Sequence, residues 1–148
     1  MKKFLLMIVI MLGITACGAG SNLTEVDIKA AETALDEKLG NMASVNEDEL
    51  KSIYQVDTSL MEEYVIKASN TANGNLYAII LVDENNKAEV KKQMNNYFDI
   101  LVDANALYSP EAVNLLENYL ETSIGDYLIY ISSEDNEATY NIIKEYTK

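Results

Sequence analysis

The sequence contains no histidine, no arginine and no tryptophan, and it has a single cysteine and a single proline. Each absence removes a class of chemistry. Without histidine there is no Ser-His-Asp or Cys-His arrangement for nucleophilic catalysis. Zinc sites that use histidine are absent as well, and one cysteine cannot supply the others. Without arginine there is no bidentate clamp for phosphate or carboxylate. One cysteine cannot staple the chain to itself, so this is not a small disulfide-dense fold and its stability must come from an ordinary core. Positive charge is scarce: 11 lysines face 24 acidic residues, for a net charge of −13. Nucleic-acid phosphates would be repelled by such a chain, so no nucleic-acid partner is expected. No cofactor is expected either.

What is present begins with an address. Residues 1–17 read MKKFLLMIVIMLGITAC. Lys2 and Lys3 form a positive start, and Phe4 to Leu12 is an unbroken run of nine apolar residues. That run is too short to span a bilayer, which needs about 20. Its length suits the apolar region of a secretory signal. The segment ends in Ile14-Thr15-Ala16-Cys17, which resembles the bacterial lipobox: a branched apolar residue, two small residues, then cysteine. The resemblance implies cleavage between Ala16 and Cys17 and a diacylglyceryl thioether on Cys17. Two acyl chains hold a protein stably where one holds it marginally. The alternative is an ordinary signal peptide with an incidental cysteine.

The expected organisation is a signal peptide at 1–16, a lipidated cysteine and tether at 17–23, and one domain at 24–148. The partner expected first is the membrane, through the diacylglyceryl anchor on Cys17, with the protein on the outer face of the cytoplasmic membrane. The processed chain would carry 9 lysines and the same 24 acids, net −15. Anionic lipid headgroups repel such a domain. The tether Gly18–Leu23 reaches about 20 Å when extended, so the domain would sit close to the bilayer.

From Thr24 onward the pattern alternates between helix and strand signals. Thr24-Glu-Val-Asp27 resembles a capping pattern, and Ile28, Ala31, Leu35 and Leu39 follow at helical spacing up to Gly40. Ser44-Val-Asn-Glu47 reads as a second capping box before a short helix. Tyr64–Ser69 reads as a strand by its Tyr, Val and Ile content. Leu76–Val82 is a strand apolar on both faces. Asp83–Asn86 starts a long helix with Val90, Met94, Tyr97, Leu101 and Ala104 on one stripe. Ser109-Pro110 is a cap with proline at the first helical position, for a helix to about Glu117. Tyr119–Ile124 and Tyr127–Ser132 flank the tight turn Gly125-Asp126, a hairpin signal. Asp135-Asn136 starts the last helix.

GNLYAIILVDENNKAEV from Gly74 echoes GDYLIYISSEDNEATY from Gly125. Each is a glycine turn, an apolar strand, an acidic turn and a helix. The expected fold class is therefore α+β: an antiparallel sheet of about four strands with helices packed on it, built as two strand-strand-helix units or by convergence on the same local chemistry.

Tyr54-x-Val56-Asp57, Glu63-Tyr64-Val65, Pro110-Glu111, Leu116-Glu117-Asn118 and Gly125-Asp126-Tyr127, in that order and spacing, carry a resemblance. Over roughly residues 25–146 the chain resembles a group of Firmicutes lipoproteins with the domain of unknown function numbered 4358. The usual Gly-Asn-Tyr turn of that family stands here as Gly-Asp-Tyr. The resemblance implies a small lipid-anchored extracytoplasmic domain and contributes no catalytic residue.

Several constellations could in principle carry chemistry. Glu62-Glu63 and Glu134-Asp135 are carboxylate pairs of the kind used in acid–base work, but solvated turns and helix starts also collect acids. Asp83-Glu-Asn-Asn-Lys offers calcium-type oxygens, yet Lys87 and Ala88 occupy positions an EF-hand loop reserves for a ligand and a glycine. No serine is followed three residues later by lysine. Aligning the echo groups Leu76, Ala78, Ile80 and Val82 with Tyr127, Ile129 and Ile131, leaving Tyr77, Ile79, Leu81, Leu128 and Tyr130 on the other face. If the first helix does not cover that second face, Tyr77, Ile79, Leu81 and Tyr130 form an aromatic binding patch. The expected function is a lipid-anchored, non-enzymatic binding or accessory module with an envelope protein partner. The alternative is a carboxylate-dependent cell-envelope hydrolase.

Overall fold

A computed structural model describes residues 24–148. The expected lipobox, Ala16–Cys17 cleavage site and tether lie outside the described residues.

Ten regular elements follow one another: α1 (Ile28–Leu39), β1 (Met42–Ser44), α2 (Glu47–Ser52), β2 (Glu63–Ser69), β3 (Leu76–Leu81), α3 (Glu84–Asn105), α4 (Pro110–Glu117), β4 (Leu120–Ile124), β5 (Tyr127–Ser132) and α5 (Asn136–Glu145). A single 3₁₀ turn lies at Thr58–Leu60. No helix among the described residues is long and apolar enough to cross a membrane.

Local chemistry starts each helix. Asp27, Asn46, Asp83, Ser109 and Asp135 accept hydrogen bonds from backbone amides of the turn they cap. Two expected caps move. Asp27 caps α1 in place of Thr24, because Val26 pairs with Thr147 and Lys148 exchanges backbone hydrogen bonds with Glu25. Asn46 caps α2 in place of Ser44, which belongs to β1.

The sheet is antiparallel throughout, in the order β1-β2-β3-β5-β4. It has five strands where about four were expected. The added strand is β1, three residues long and too short to show a period. Gly40 and Asn41, at φ 66° and 51°, turn the chain back so that Met42–Ser44 pair with Lys67–Ser69.

The central strands β3 and β5 are buried on both faces, which explains their unbroken apolar runs. Helices α2, α3 and α4 cover one face. There Leu50, Val90, Met94, Tyr97, Phe98 and Leu116 meet Ile66, Ala78, Ile80, Leu128 and Tyr130. Helices α1 and α5 cover the other. There Ile28, Ala31, Leu35 and Ile143 meet Val65, Tyr77, Ile79, Ile129 and Ile131. The second sheet face, left open by the pattern, is therefore covered by α1 together with α5.

The register corrects the expected grouping of faces. Tyr77 lies opposite Ile131, Ala78 opposite Tyr130, and Ile79 opposite Ile129. Cross-strand partners share a face, so Tyr130 sits with Ala78 and Ile80, and Ile129 and Ile131 sit with Tyr77 and Ile79. The echo-based alignment is wrong by one residue, and a one-residue slip in a period of two reverses every side chain. The two strand-strand-helix successions, β2-β3-α3 and β4-β5-α5, are present. However, α3 and α5 lie on opposite faces, whereas a two-fold axis through the sheet would place both on the same one.

Candidate functional site

The sequence-predicted patch does not exist as a surface. Tyr77, Ile79 and Tyr130 are each 0% exposed, and Leu81 is half-buried against the α1/α5 core. Tyr77 and Tyr130 face opposite sides of the sheet. The Tyr77 hydroxyl donates to Asp36 Oδ1 at 2.7 Å. Burial, reinforced by Asp36 and Glu32, raises its pKa far above the ordinary tyrosine value. The Tyr130 ring fits over Ala78, beside Phe98 and Tyr119. Its hydroxyl is buried without a hydrogen-bond partner, and burial likewise raises its pKa. Substituting aspartate at both positions would charge two cores, not one surface.

The buried charges serve packing. Lys67 is the one charged residue in the interior of β2, and its ammonium group lies 2.6 Å from Glu32 Oε1 and 2.5 Å from Asp36 Oδ2 of α1. Burial alone would lower the Lys67 pKa, but the two carboxylates outweigh it and raise the value. The expected carboxylate pairs are divided. Glu62 and Glu63 lie exposed at the start of β2; Glu134 and Asp135 lie exposed between β5 and α5, where Asp135 caps the helix. Asp83 caps α3, accepting from the Asn85 amide at 2.8 Å. Among the described residues, no group of three or more acidic or cysteine side chains is placed to hold a metal.

A depression of about 460 Å³ lies between the start of α1 and β2, and one of about 250 Å³ lies beside Glu25 and Lys148; the concave surface that joins the most connections lies at one end of the sheet. Three connections meet there: the β2–β3 turn, the start of α4 and the β5–α5 loop. Asn73, Asn75, Ser109, Glu111, Asn114 and Glu134 line a groove of about 450 Å³. A second depression of about 290 Å³ continues from it past Asn75 and Glu134 to Ser133, Thr139 and Lys38. Gly74 holds this end together. A β-carbon on Gly74 would lie 2.8 Å from the Ala112 backbone, so only glycine lets the turn pack this closely on α4. The Ser132 hydroxyl donates to Gly74 O at 2.7 Å, tying β5 to the same turn.

Beside the groove, Leu107 and Tyr108 are 87% and 85% exposed. They fall in the link between α3 and α4, after the last residue of the α3 stripe and before the Ser109 cap. That position was a readable signal, since an apolar pair in so short a link has no helix face to join.

The opposite end of the sheet receives the chain. Thr24 touches the β4–β5 turn, where a β-carbon on Gly125 would lie 3.1 Å from Thr24 O. The Glu25–Lys148 and Val26–Thr147 pairings close the same end. The groove and the entry point are thus separated by the length of β3, about 20 Å.

A sequence profile of the family described as Domain of unknown function (DUF4358) matches residues 34–133. That match lies inside the span expected from the motifs and covers all five strands with α2, α3 and α4, leaving out the first half of α1 and the whole of α5. No curated protein and no solved structure matches the chain.

Proposed function

The chain belongs to the DUF4358 family, and on that premise we propose that it is a lipid-anchored, non-enzymatic binding module on the outer face of the cytoplasmic membrane. Cys17 is the anchor, and the partner is a protein of the cell envelope. The observation that supports this reading is the polarity of the domain. Residues 1–23 join it at Thr24, beside the β4–β5 turn, while the groove and the exposed Leu107-Tyr108 pair lie at the other end. A tether at the first end directs the second away from the bilayer.

The test is Cys17→Ser in the native host, followed by membrane fractionation and labelling with a lipid analogue. Release of the protein, or its retention as the unprocessed precursor without label, is expected. Unchanged processing with unlabelled, membrane-retained protein would overturn the anchor.

One observation favours a second reading. Glu111 and Glu134 line the same groove, and a carboxylate-dependent hydrolase of the cell envelope needs two such groups. Hydrolysis of cell-wall glycan by the purified protein, lost in both Glu111→Gln and Glu134→Gln, would put that reading first.

A further inference from the structure

We propose that the tip carrying Leu107 and Tyr108 is a docking surface for a cationic protein partner, one that presents lysine or arginine side chains around an apolar pocket. The proposal rests on the reading of the domain as a tethered binding module and names the chemistry of what it binds.

Three observations carry it. First, Leu107 and Tyr108 are adjacent, large, apolar and nearly fully exposed. Most exposed apolar residues are scattered singly; a pair on a projecting link is the form an interface anchor takes. Second, acids dominate their surroundings, with Lys38 the basic residue that lines the adjoining depression. Between Lys92 and Lys144 the chain has no basic residue and nine acidic ones. Of these, Asp103 at the end of α3, Glu111 at the start of α4, and Glu134 and Asp135 after β5 are exposed at this end. Complementary charge steers a basic surface toward such a tip and rejects an acidic one. Third, the tip lies at the end of the sheet opposite Thr24.

The same facts disfavour other occupants. A second copy would bring a net −13 chain against its like. An anionic bilayer is repelled by the acids around the pair, and the tethered orientation turns the tip away from it.

A photoreactive residue placed at Tyr108 of the full-length protein, in intact cells of its own host, tests the proposal. A matched probe at Asp126, exposed at the tethered end, serves as control. A discrete adduct from position 108 and none from 126 is expected, and sequencing of the linked segment should find it rich in lysine and arginine. Leu107→Ser should lower the adduct yield about tenfold, as loss of an anchor does. Asp103→Asn with Glu111→Gln and Glu134→Gln should lower it severalfold, and the remaining yield should depend less on salt. Because all these side chains are exposed, folding is preserved, and circular dichroism of each variant verifies that. No adduct from 108, equal adducts from both positions, or linkage to lipid, to this chain itself or to a segment without basic residues would each overturn the proposal. Failure of the anchor reading is distinguishable: the Cys17→Ser fractionation would change nothing while the position-108 adduct still formed.

Discussion

Lys67 Nζ lies 2.5 Å from Asp36 Oδ2, joining the β2 strand near the sheet edge to the helix that covers it. The bond is one arm of a network. Glu32 holds the same ammonium group, and Tyr77, the cross-strand neighbour of Lys67, donates to the other oxygen of Asp36. Three elements, α1, β2 and β3, are tied through two side chains of one helix turn. A charge-assisted hydrogen bond is worth more than a neutral one, and stranding a buried partner costs more than the bond contributes.

Asp36→Ala should therefore destabilise the domain by about 2 kcal/mol, since it removes the acceptor of the buried Tyr77 hydroxyl and leaves Lys67 with Glu32 alone. Urea unfolding of the variant beside the parent measures the difference. A change within about 0.5 kcal/mol, the range of ordinary surface substitutions, would show that the network carries little weight.

Alkaline pH should unfold the domain cooperatively. Lys67 has a folded pKa above its ordinary 10.5, so its contribution is complete below about 10.5 and is lost as pH rises through the folded value. Tyr77, Tyr97 and Tyr130 are buried with raised pKa values, so the folded state keeps protons that the unfolded chain releases above about 10. Both effects lower stability in the same direction, by up to about 1.4 kcal/mol per pH unit for each group. Tyrosinate absorbance followed with circular dichroism should show part of the ten tyrosines ionising only together with unfolding. Complete ionisation of a still-folded protein would contradict the burial.

Tyr130→Phe removes a buried hydroxyl that has no partner. The ring keeps its place between Ala78, Phe98 and Tyr119, so stability should be unchanged or higher by about 1 kcal/mol. A thermal midpoint lowered by several degrees would mean that the hydroxyl has a partner, such as a buried water.

Gly74→Ala should cost about 1–3 kcal/mol. Its φ is +86°, and the added methyl meets the Ala112 backbone at 2.8 Å. Hydrogen exchange offers the sharper readout. Protection should fall first in the β2–β3 turn and α4, and protection lost evenly across the sheet would refute the close contact as its source.

Much of the architecture is legible in the sequence because it is local. The Asp83, Ser109 and Asp135 caps, proline at the first position of α4, and the Gly125-Asp126 turn act within a few residues, and the elements they bound lie where the pattern puts them. The lysine in EYVIKAS was visible too, but only the packing of α1 shows that Glu32 and Asp36 receive it. β1 was not legible: three residues carry no period, and the strand exists because β2 offers it an edge.

The sequence by itself determined which segments other than β1 form helices and strands, and that two apolar strands need cover on both faces. Which face each side chain takes was decided only by the tertiary structure. Leu76–Leu81 and Tyr127–Ser132 are apolar at nearly every position, so no alternation marks an inner side, and a repeat in sequence suggests a register one residue from the real one. The register is settled by helices distant in the chain. Asp36 of α1 takes the Tyr77 hydroxyl on one face, and Phe98 of α3 packs against Tyr130 on the other. The aromatic pair read as one binding patch became parts of two cores, and the exposed anchor fell to Leu107 and Tyr108, which no element covers.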